Sequence, residues 1–267
     1  MVLLETRTGI SLRRFCPNWS ALVDVQDFRT YNCPVCLFEV REQLRLSRLK
    51  RKALNSPQAW KDLHKVGGAS FVGAGVLYLV NFAILAIVGP MPSEGQAFLK
   101  FIFDQRLLAQ TAFVVFLMID VLLVVGVSIL YFASTRPGTS NVVGPVLGVV
   151  ALTIDLVNTV LAYTLLGLSA SFAGATTEGQ RTAYGVVGEL VRGMTLDIGT
   201  SFFIILFSIS VLVISMSTIN FFGRPTRYLG IAAGLLGIAG GLLGIIPLSI
   251  LWPVWFLAIG YKLFRAS

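Results

Sequence analysis

The sequence predicts an all-α protein, a polytopic membrane bundle of six transmembrane helices preceded by a small basic cytoplasmic segment. Three observations lead to this fold class. The 267 residues are 55% hydrophobic and only 13% charged, whereas soluble domains carry roughly 25% charged residues. The apolar residues fall into runs about as long as a helix that crosses a bilayer. Most of the basic residues lie in one part of the chain, because residues 1–67 hold 12 of the 21 Lys and Arg.

The apolar runs define the predicted spans. A helix needs about 20 residues to cross roughly 30 Å of hydrocarbon, and a spanning helix satisfies its own backbone hydrogen bonds. The last run is too long for one span and divides at Pro247. We therefore expect six spans in a transmembrane domain of residues 68–267, or five if the last two segments form a re-entrant hairpin. The expected ranges are 68–90, 111–133, 142–168, 196–216, 228–245 and 248–264.

Loop charge predicts the orientation of these spans. With six spans, 17 Lys and Arg lie on the side that contains both termini, and only 4 lie on the other side. Basic loops favour the cytoplasmic side, so we expect a multi-pass protein of the cytoplasmic (inner) membrane with both termini in the cytoplasm. The basic residues lack the interleaved aromatics or the known module of a nucleic-acid-binding protein. We therefore expect contact with the lipid bilayer and no nucleic-acid partner.

The N-terminal segment, residues 1–67, contains one helical pattern. Residues 39–54 (EVREQLRLSRLKRKAL) combine a rough apolar stripe with six basic side chains. This pattern is typical of a basic amphipathic helix at a membrane surface, which predicts contact with anionic lipid. The alternative is a helix that only connects to the first span.

All three cysteines lie in the N-terminal segment. Cys33 and Cys36 form a single CxxC, and Cys16 lies upstream. A structural zinc site needs four ligands, and the remaining candidate is His64, the single histidine of the chain. We favour free thiols, with a Cys16, Cys33, Cys36 and His64 zinc site as the alternative. No other cofactor is indicated.

Polar residues in the middle of the predicted spans are the most informative feature for function. Asn81 lies in the first span, Asp120 in the second and Asp155 in the third. Asn158 and Thr159 follow Asp155 by three and four residues, so these three side chains share one helical face. A carboxylate at the bilayer centre costs about 2.5–3.5 kcal/mol. We therefore expect the two acids to face the interior of the bundle and each other.

Two interpretations of the acidic pair are open. In the first, Asp120 and Asp155 line a polar core that binds an ion, a proton or a small polar ligand. In the second, one or both are protonated and only join helices by hydrogen bonds worth about 0.6 kcal/mol on average. In both cases at least one carboxyl should be neutral at pH 7, because two buried charges would repel each other. Asp197, near the end of the fourth span, is expected to pair with Arg192 or to cap a helix.

Small and aromatic residues mark the last two spans. Gly230 and Gly234, and likewise Gly237 and Gly241, are four residues apart, a spacing that lets helices approach closely. We favour packing within the bundle, with a homodimer face as the alternative. Trp252 and Trp255 are interpreted as an aromatic belt at the membrane interface.

The loop at residues 91–110 is expected to form a short helix in the membrane interface. Its predicted start is a capping box formed by Ser93 and Gln96, the Ser-x-x-Gln pattern in which two side chains satisfy backbone N–H groups.

Residues 60–267 resemble a family of bacterial six-helix integral membrane proteins that is classified as a domain of unknown function. The resemblance depends on the first span (GAGVLYLVNFAIL), the acid in the second (MIDVLLVVGVSILYF) and the ending. The ending joins FFGRPTRYLGIAAGLLGIAGGLLG to a last span that contains tryptophan, WPVWFLAIGYKLF. The resemblance implies a six-helix bundle and supplies no activity. The N-terminal segment with its CxxC departs from the family pattern.

Three functions compete at this stage. The favoured one is binding or transport of a small polar ligand or ion through the core at Asp120 and Asp155. The first alternative is an intramembrane enzyme that uses the buried carboxylates, which is less favoured because no nucleotide loop, complete metal site or catalytic triad is recognisable. The second alternative is an accessory or scaffold subunit of a membrane complex.

Overall fold

The computed structural model describes residues 57–134, 140–217 and 219–266. Contacts divide the chain into two units, Met1–Ala59 and Trp60–Ser267, and the described residues fall almost entirely in the second. The amphipathic helix predicted at residues 39–54, the three cysteines and most of the predicted N-terminal segment lie outside the described residues.

Helices account for nearly all of the described chain, and no strand occurs in these ranges. A π-helical segment at Gly193–Gly199 and a 3-10 helix at Ile246–Ile250 connect some of them. The α-helices are α1 Pro57–Val88, α2 Gly95–Asp104, α3 Arg106–Ser134, α4 Ser140–Ala173, α5 Glu178–Arg192, α6 Thr200–Ser217, α7 Ile219–Leu243 and α8 Leu251–Ala266.

Within the described ranges, six helical segments are long and apolar enough to cross a membrane. They are Trp60–Val88, Arg106–Phe132, Val142–Ala173, Glu178–Ser217, Gly223–Leu243 and Pro247–Arg265. Each exposes large apolar side chains, for example Val80, Met118, Val160, Phe202, Leu235 and Val254. Exposed apolar surface on all six segments indicates contact with lipid. The prediction of an all-α bundle with six spans is therefore confirmed.

The fourth span differs most from its predicted range of 196–216. It continues from α5 through the π-helical segment into α6, as one helix of 40 residues. Such a helix is about 60 Å long, roughly twice the thickness of the hydrocarbon. The polar α5 therefore extends beyond the membrane. Helix α5 begins with a capping box formed by Thr177 and Gln180. The capping box satisfies backbone N–H groups that would otherwise lack a partner.

The helices α2 and α5 pack together as a helical cap over one end of the bundle. Glycines permit their close approach, because a Cβ at Gly188 would lie 2.8 Å from the Leu99 side chain. The apolar face of α2 is buried against α4 and α5 instead of facing lipid alone. The predicted capping box at Ser93 was wrong, because the N-cap residue of α2 is Glu94 and its side chain makes no capping hydrogen bond.

Two hydrophobic clusters fill the transmembrane unit. The larger one joins α1, α3, α4, α6, α7 and α8 around Phe71, Leu123 and Phe207. The smaller one joins α2 and α4 under the helical cap, around Phe98 and Leu165. Residues of both clusters surround the buried Asn81 and Asp155.

The contact between α6, α7 and α8 is very close, and we call it the glycine-packed region. Its four glycines are all buried in the chain. A Cβ at Gly230 would collide with Ser215 Oγ, and one at Gly237 would collide with Ser208 Oγ. Because their partners are on α6 and α8, these glycines serve helix packing inside one chain. They are Gly230, Gly234, Gly237 and Gly241.

The two tryptophans of α8 are in the core and do not form an interfacial belt. Trp252 and Trp255 are 0% and 2% exposed, so the belt interpretation was wrong. Trp252 packs edge-on against Phe207, with 5.1 Å between the ring centroids. The glycines of α7 leave room for the large indole rings, which explains why the bundle buries them.

Candidate ligand-binding cavity

The two intramembrane acids meet inside the bundle. Asp120 lies in the middle of α3 and Asp155 in the middle of α4, and both are buried, at 1% and 8% exposure. Their carboxyl groups are in hydrogen-bonding contact. A hydrogen bond between two carboxyl groups requires that one of them carries a proton. The second oxygen of Asp120, Oδ2, has no partner among the described residues.

Helix α1 brings two further polar groups to this pair. Tyr78 and Asn81 lie almost one turn apart, and both are buried. Tyr78 is within electrostatic range of both Asp155 and Asp120. Asn81 is only 1% exposed, and its Oδ1 has no hydrogen-bond partner within the described ranges. A buried amide without a partner costs about 1–3 kcal/mol, so this atom is an unusual feature of the fold.

A cavity of about 180 Å³ adjoins these residues. It lies between the two hydrophobic clusters and extends from the acidic pair to the helical cap. Its lining is mostly apolar, with polar groups concentrated at a few positions, as in many small-molecule sites. The polar or titratable side chains among its described lining residues are Tyr78, Asn81, Gln105, Asp155, Asn158, Thr159, Thr195, Thr200 and Ser249.

The π-helical segment shapes the wall of the cavity opposite α1. Its last residue, Gly199, lies so close to Asn158 that an added Cβ would be 2.6 Å from the Asn158 amide nitrogen. That nitrogen, Nδ2, also has no hydrogen-bond partner among the described residues. Thr195 and Thr200 of this wall donate to backbone carbonyls, at 2.7 and 3.1 Å. π-helical turns are frequent at functional sites.

The other end of the cavity lies beneath the helical cap. Gln105, between α2 and α3, donates through Nε2 to the carbonyl of Val88 at 3.5 Å. Its Oε1 has no partner in the described part of the chain. Met91 and Val88 line the same end. The cavity is therefore longer than the acidic site and carries polar groups at both ends.

Aromatic rings form much of the wall between these ends. The Tyr78 ring lies 5.6 Å from the Phe82 ring and 6.3 Å from the Phe116 ring, measured between centroids. This part of the aromatic wall therefore adjoins the acidic pair. The rings that line the cavity are those of Tyr78, Phe82, Phe101, Phe113, Phe116 and Phe203.

The structure brings together all five residues that the sequence singled out for a ligand or ion. Asn81, Asp155, Asn158 and Thr159 line the cavity, and Asp120 contacts Asp155 next to it. Sequence reasoning missed the aromatic rings, Gln105 and the π-helical segment. Tyr78 had a usable signal, a hydroxyl in an apolar span one turn before Asn81. The other rings come from four helices, and no sequence pattern relates them.

The remaining candidates lie elsewhere. Arg192 and Asp197 form an ion pair with 3.2 Å between Nη2 and Oδ2, which confirms the expected pairing. His64 lies on α1 with its ring 6.2 Å from that of Trp60. The cysteines of the alternative zinc site lie outside the described residues. Within the described ranges, no group of three His, Cys, Asp or Glu side chains could hold a metal ion.

The chain was compared with protein-family models, with curated proteins and with solved structures, and none of them matches it. The inference of a function therefore depends on the residues around the cavity.

Proposed function

We propose that this protein binds a small ligand inside the membrane, in the cavity between the acidic pair and the helical cap. The observation that carries the proposal is a pair of amide atoms, Asn81 Oδ1 and Asn158 Nδ2, that have no hydrogen-bond partner among the described residues. Both residues line the same cavity as Asp155. One amide offers an acceptor and the other a donor, so a polar group of a ligand would bond to one or the other.

The energetics favour a ligand over a purely structural role. Each buried polar atom without a partner costs about 1–3 kcal/mol, and such atoms are rare in folded proteins. Interhelical glue would need the amides to bond to each other or to the acids. Asn81 Oδ1 and Asn158 Nδ2, however, have no hydrogen-bond partner among the described residues, although both residues line the same cavity as Asp155.

Loop charge supports a position for the cavity in the outer half of the membrane. The cavity reaches Met91 and Gln105, in the loop that carries few basic residues. Under the proposed orientation, with both termini in the cytoplasm of a cell with an inner membrane, the cavity occupies the outer half of the bilayer. A ligand would then enter from the outer side, which suits uptake, sensing or the first step of transport.

Two wider proposals follow from the sequence. The basic segment at residues 1–67 would contact anionic lipid at the cytoplasmic surface, and residues 60–267 would belong to the six-helix family that they resemble. Both are open to lipid-binding assays and to future structures of related chains.

The test is to purify the full chain in mild detergent and to identify bound small molecules by mass spectrometry. We expect one compound at close to one per chain in the wild type. We expect Ala162→Phe, which fills the cavity from α4, to lose it. Asp197→Asn, which alters an acid away from the cavity, should retain it and serves as the control.

Other outcomes would contradict the proposal. Equal retention by Ala162→Phe and the wild type would place the compound elsewhere. A stoichiometric protein partner without a small molecule would favour the accessory-subunit alternative, and a compound that is chemically converted during incubation would favour the enzyme alternative.

A further inference from the structure

We propose that the ligand of this cavity is an organic monocation, a compact amine or quaternary ammonium with apolar substituents. This inference rests on the proposed function and names its ligand class. Three independent features of the cavity lead to it: its charge, its aromatic wall and its size.

The charge of the cavity selects a monocation. Asp120 and Asp155 lie side by side in the core, and the pair acquires a negative charge when it releases a proton. None of the described residues that line the cavity is Lys, Arg or His. A buried charge without a counter-charge is costly in a medium of low polarity. A ligand with one positive charge neutralises the pair, whereas an anion would be repelled.

The aromatic wall is suited to a cation that carries carbon. Six aromatic rings line the cavity, and the Tyr78 ring contacts two others close to the acidic pair. The face of an aromatic ring attracts cations within about 6 Å, most strongly where water is excluded. Aromatic enclosures of this kind are used to bind quaternary ammonium groups.

The size of the cavity and its donor set disfavour an inorganic ion. Its volume of about 180 Å³ is several times the roughly 30 Å³ that one water occupies in the liquid. A hard metal ion requires six or more oxygen ligands at roughly 2.0–2.6 Å. Here the oxygens of Asp155, Asn158 and Thr159 lie on one helical face, and most of the remaining lining is apolar. The remaining volume fits apolar substituents.

The Asn81 amide completes the recognition of an amine. Asn81 Oδ1, the buried acceptor without a partner, would accept a hydrogen bond from a protonated amine beside the carboxyl pair. A quaternary ammonium lacks this donor, so a primary or secondary ammonium of equal size is expected to bind more tightly. A hydrogen bond to a charged group is worth about 1.5–3 kcal/mol, so its loss corresponds to roughly tenfold to a hundredfold in the dissociation constant.

The experiment compares two ligands of equal shape and different charge. Benzyltrimethylammonium and its neutral isostere neopentylbenzene differ only in the nitrogen and its charge. Binding of each labelled compound to the purified full chain in detergent is measured against protein-free micelles. We expect the cation to bind at least about tenfold more tightly than the isostere. Equal or tighter binding of the isostere would overturn the cation class while leaving a ligand-binding cavity in place.

Two variants test whether the acidic pair and the aromatic wall cause the preference for the cation over its isostere. The double variant Asp120→Asn/Asp155→Asn should weaken cation binding by about thirtyfold or more, because it removes both carboxyl groups that can carry the negative charge, and should leave the isostere unchanged. Phe203→Leu keeps the apolar volume but removes a ring, so cation binding should weaken by roughly twofold to thirtyfold. Phe202→Leu, at a neighbouring residue that is exposed on α6, is the matched control and should have no effect.

Thermal unfolding of each variant establishes that it folds. If the double variant does not fold, Phe203→Leu alone tests the preference. Retention of the cation preference in both folded variants would overturn the inference. If neither compound binds the wild type, the organic-cation inference also fails. The proposed function is then judged separately, by the compound that co-purifies with the wild type and is lost from Ala162→Phe.

Discussion

The cavity and the glycine-packed region both contain buried polar atoms without partners, yet they differ in the space around those atoms. In the cavity, the amides of Asn81 and Asn158 adjoin about 180 Å³ of open volume. In the glycine-packed region, the hydroxyls of Ser208 and Ser215 likewise have no hydrogen-bond partner in the part of the chain that the structure describes. There, however, a single added carbon at Gly237 would already collide with Ser208 Oγ.

This comparison separates two uses of polar residues in a membrane bundle. A small hydroxyl opposite a glycine lets two helices approach closely. An amide or carboxyl beside a cavity instead offers an interaction to a ligand that the helices do not supply. An unpartnered polar atom therefore indicates a ligand only where there is room for one. The two regions should respond in opposite ways to added volume.

The largest expected effect comes from adding volume to the glycine-packed region. Gly237→Leu should lower the free energy of unfolding by about 3 kcal/mol or more, because overpacking forces the backbone of α7 away from α6 and α8. Thermal or chemical unfolding in detergent measures this. The matched control is Gly167→Leu on α4, where nothing lies within 4 Å of an added Cβ. Similar stability of the two variants would contradict the close packing.

The next effect concerns the acidic pair. Asp120→Leu should destabilise the protein by about 1–3 kcal/mol, because Asp155 loses its hydrogen-bonding partner in the core. Asp120→Asn should cost much less, since an amide can donate to the remaining carboxylate. The difference in unfolding free energy between the two variants measures the contribution of the hydrogen bond to stability. If both are equally stable, the contact between the acids does not hold the helices together.

Adding volume to the cavity should have the opposite sign. Ala112 of α3 is buried and lines the cavity. Ala112→Leu should raise the unfolding free energy by roughly 0.5–1 kcal/mol, as cavity-filling substitutions often do, and should abolish ligand binding. Unfolding and binding are measured on the same preparation. A loss of stability comparable with that of Gly237→Leu would show that the cavity is not open volume.

The smallest effect is expected away from both regions. Asp197 pairs with Arg192 but is half exposed, and ion pairs of this kind contribute less than about 1 kcal/mol. Asp197→Asn should therefore shift unfolding only slightly and leave ligand binding unchanged. A large loss of binding in this variant would mean that the ion pair positions the π-helical wall of the cavity.

The sequence by itself determined the features that depend on the bilayer. Hydrophobic runs separated by polar loops predict six helices, because a chain in lipid must satisfy its backbone within each helix. The division at Pro247 is seen as Gly244 in a left-handed conformation (φ 68°) followed by a 3-10 helix. The burial of Asp120 and Asp155 was predictable in the same way, since the cost of a carboxylate in lipid leaves the interior as the place for both.

Only the tertiary structure decided where space remains. The aromatic rings of the cavity come from α1, α2, α3 and α6, and their convergence depends on how the helices cross, which no local pattern encodes. The burial of Trp252 and Trp255 depends on the glycines of a different helix. The fourth span extends into α5 because α5 packs on α2. Hydrophobicity along the chain specifies which segments enter the membrane. The shapes of facing side chains determine whether those segments pack closely or leave a cavity, since packing depends on residues far apart in sequence.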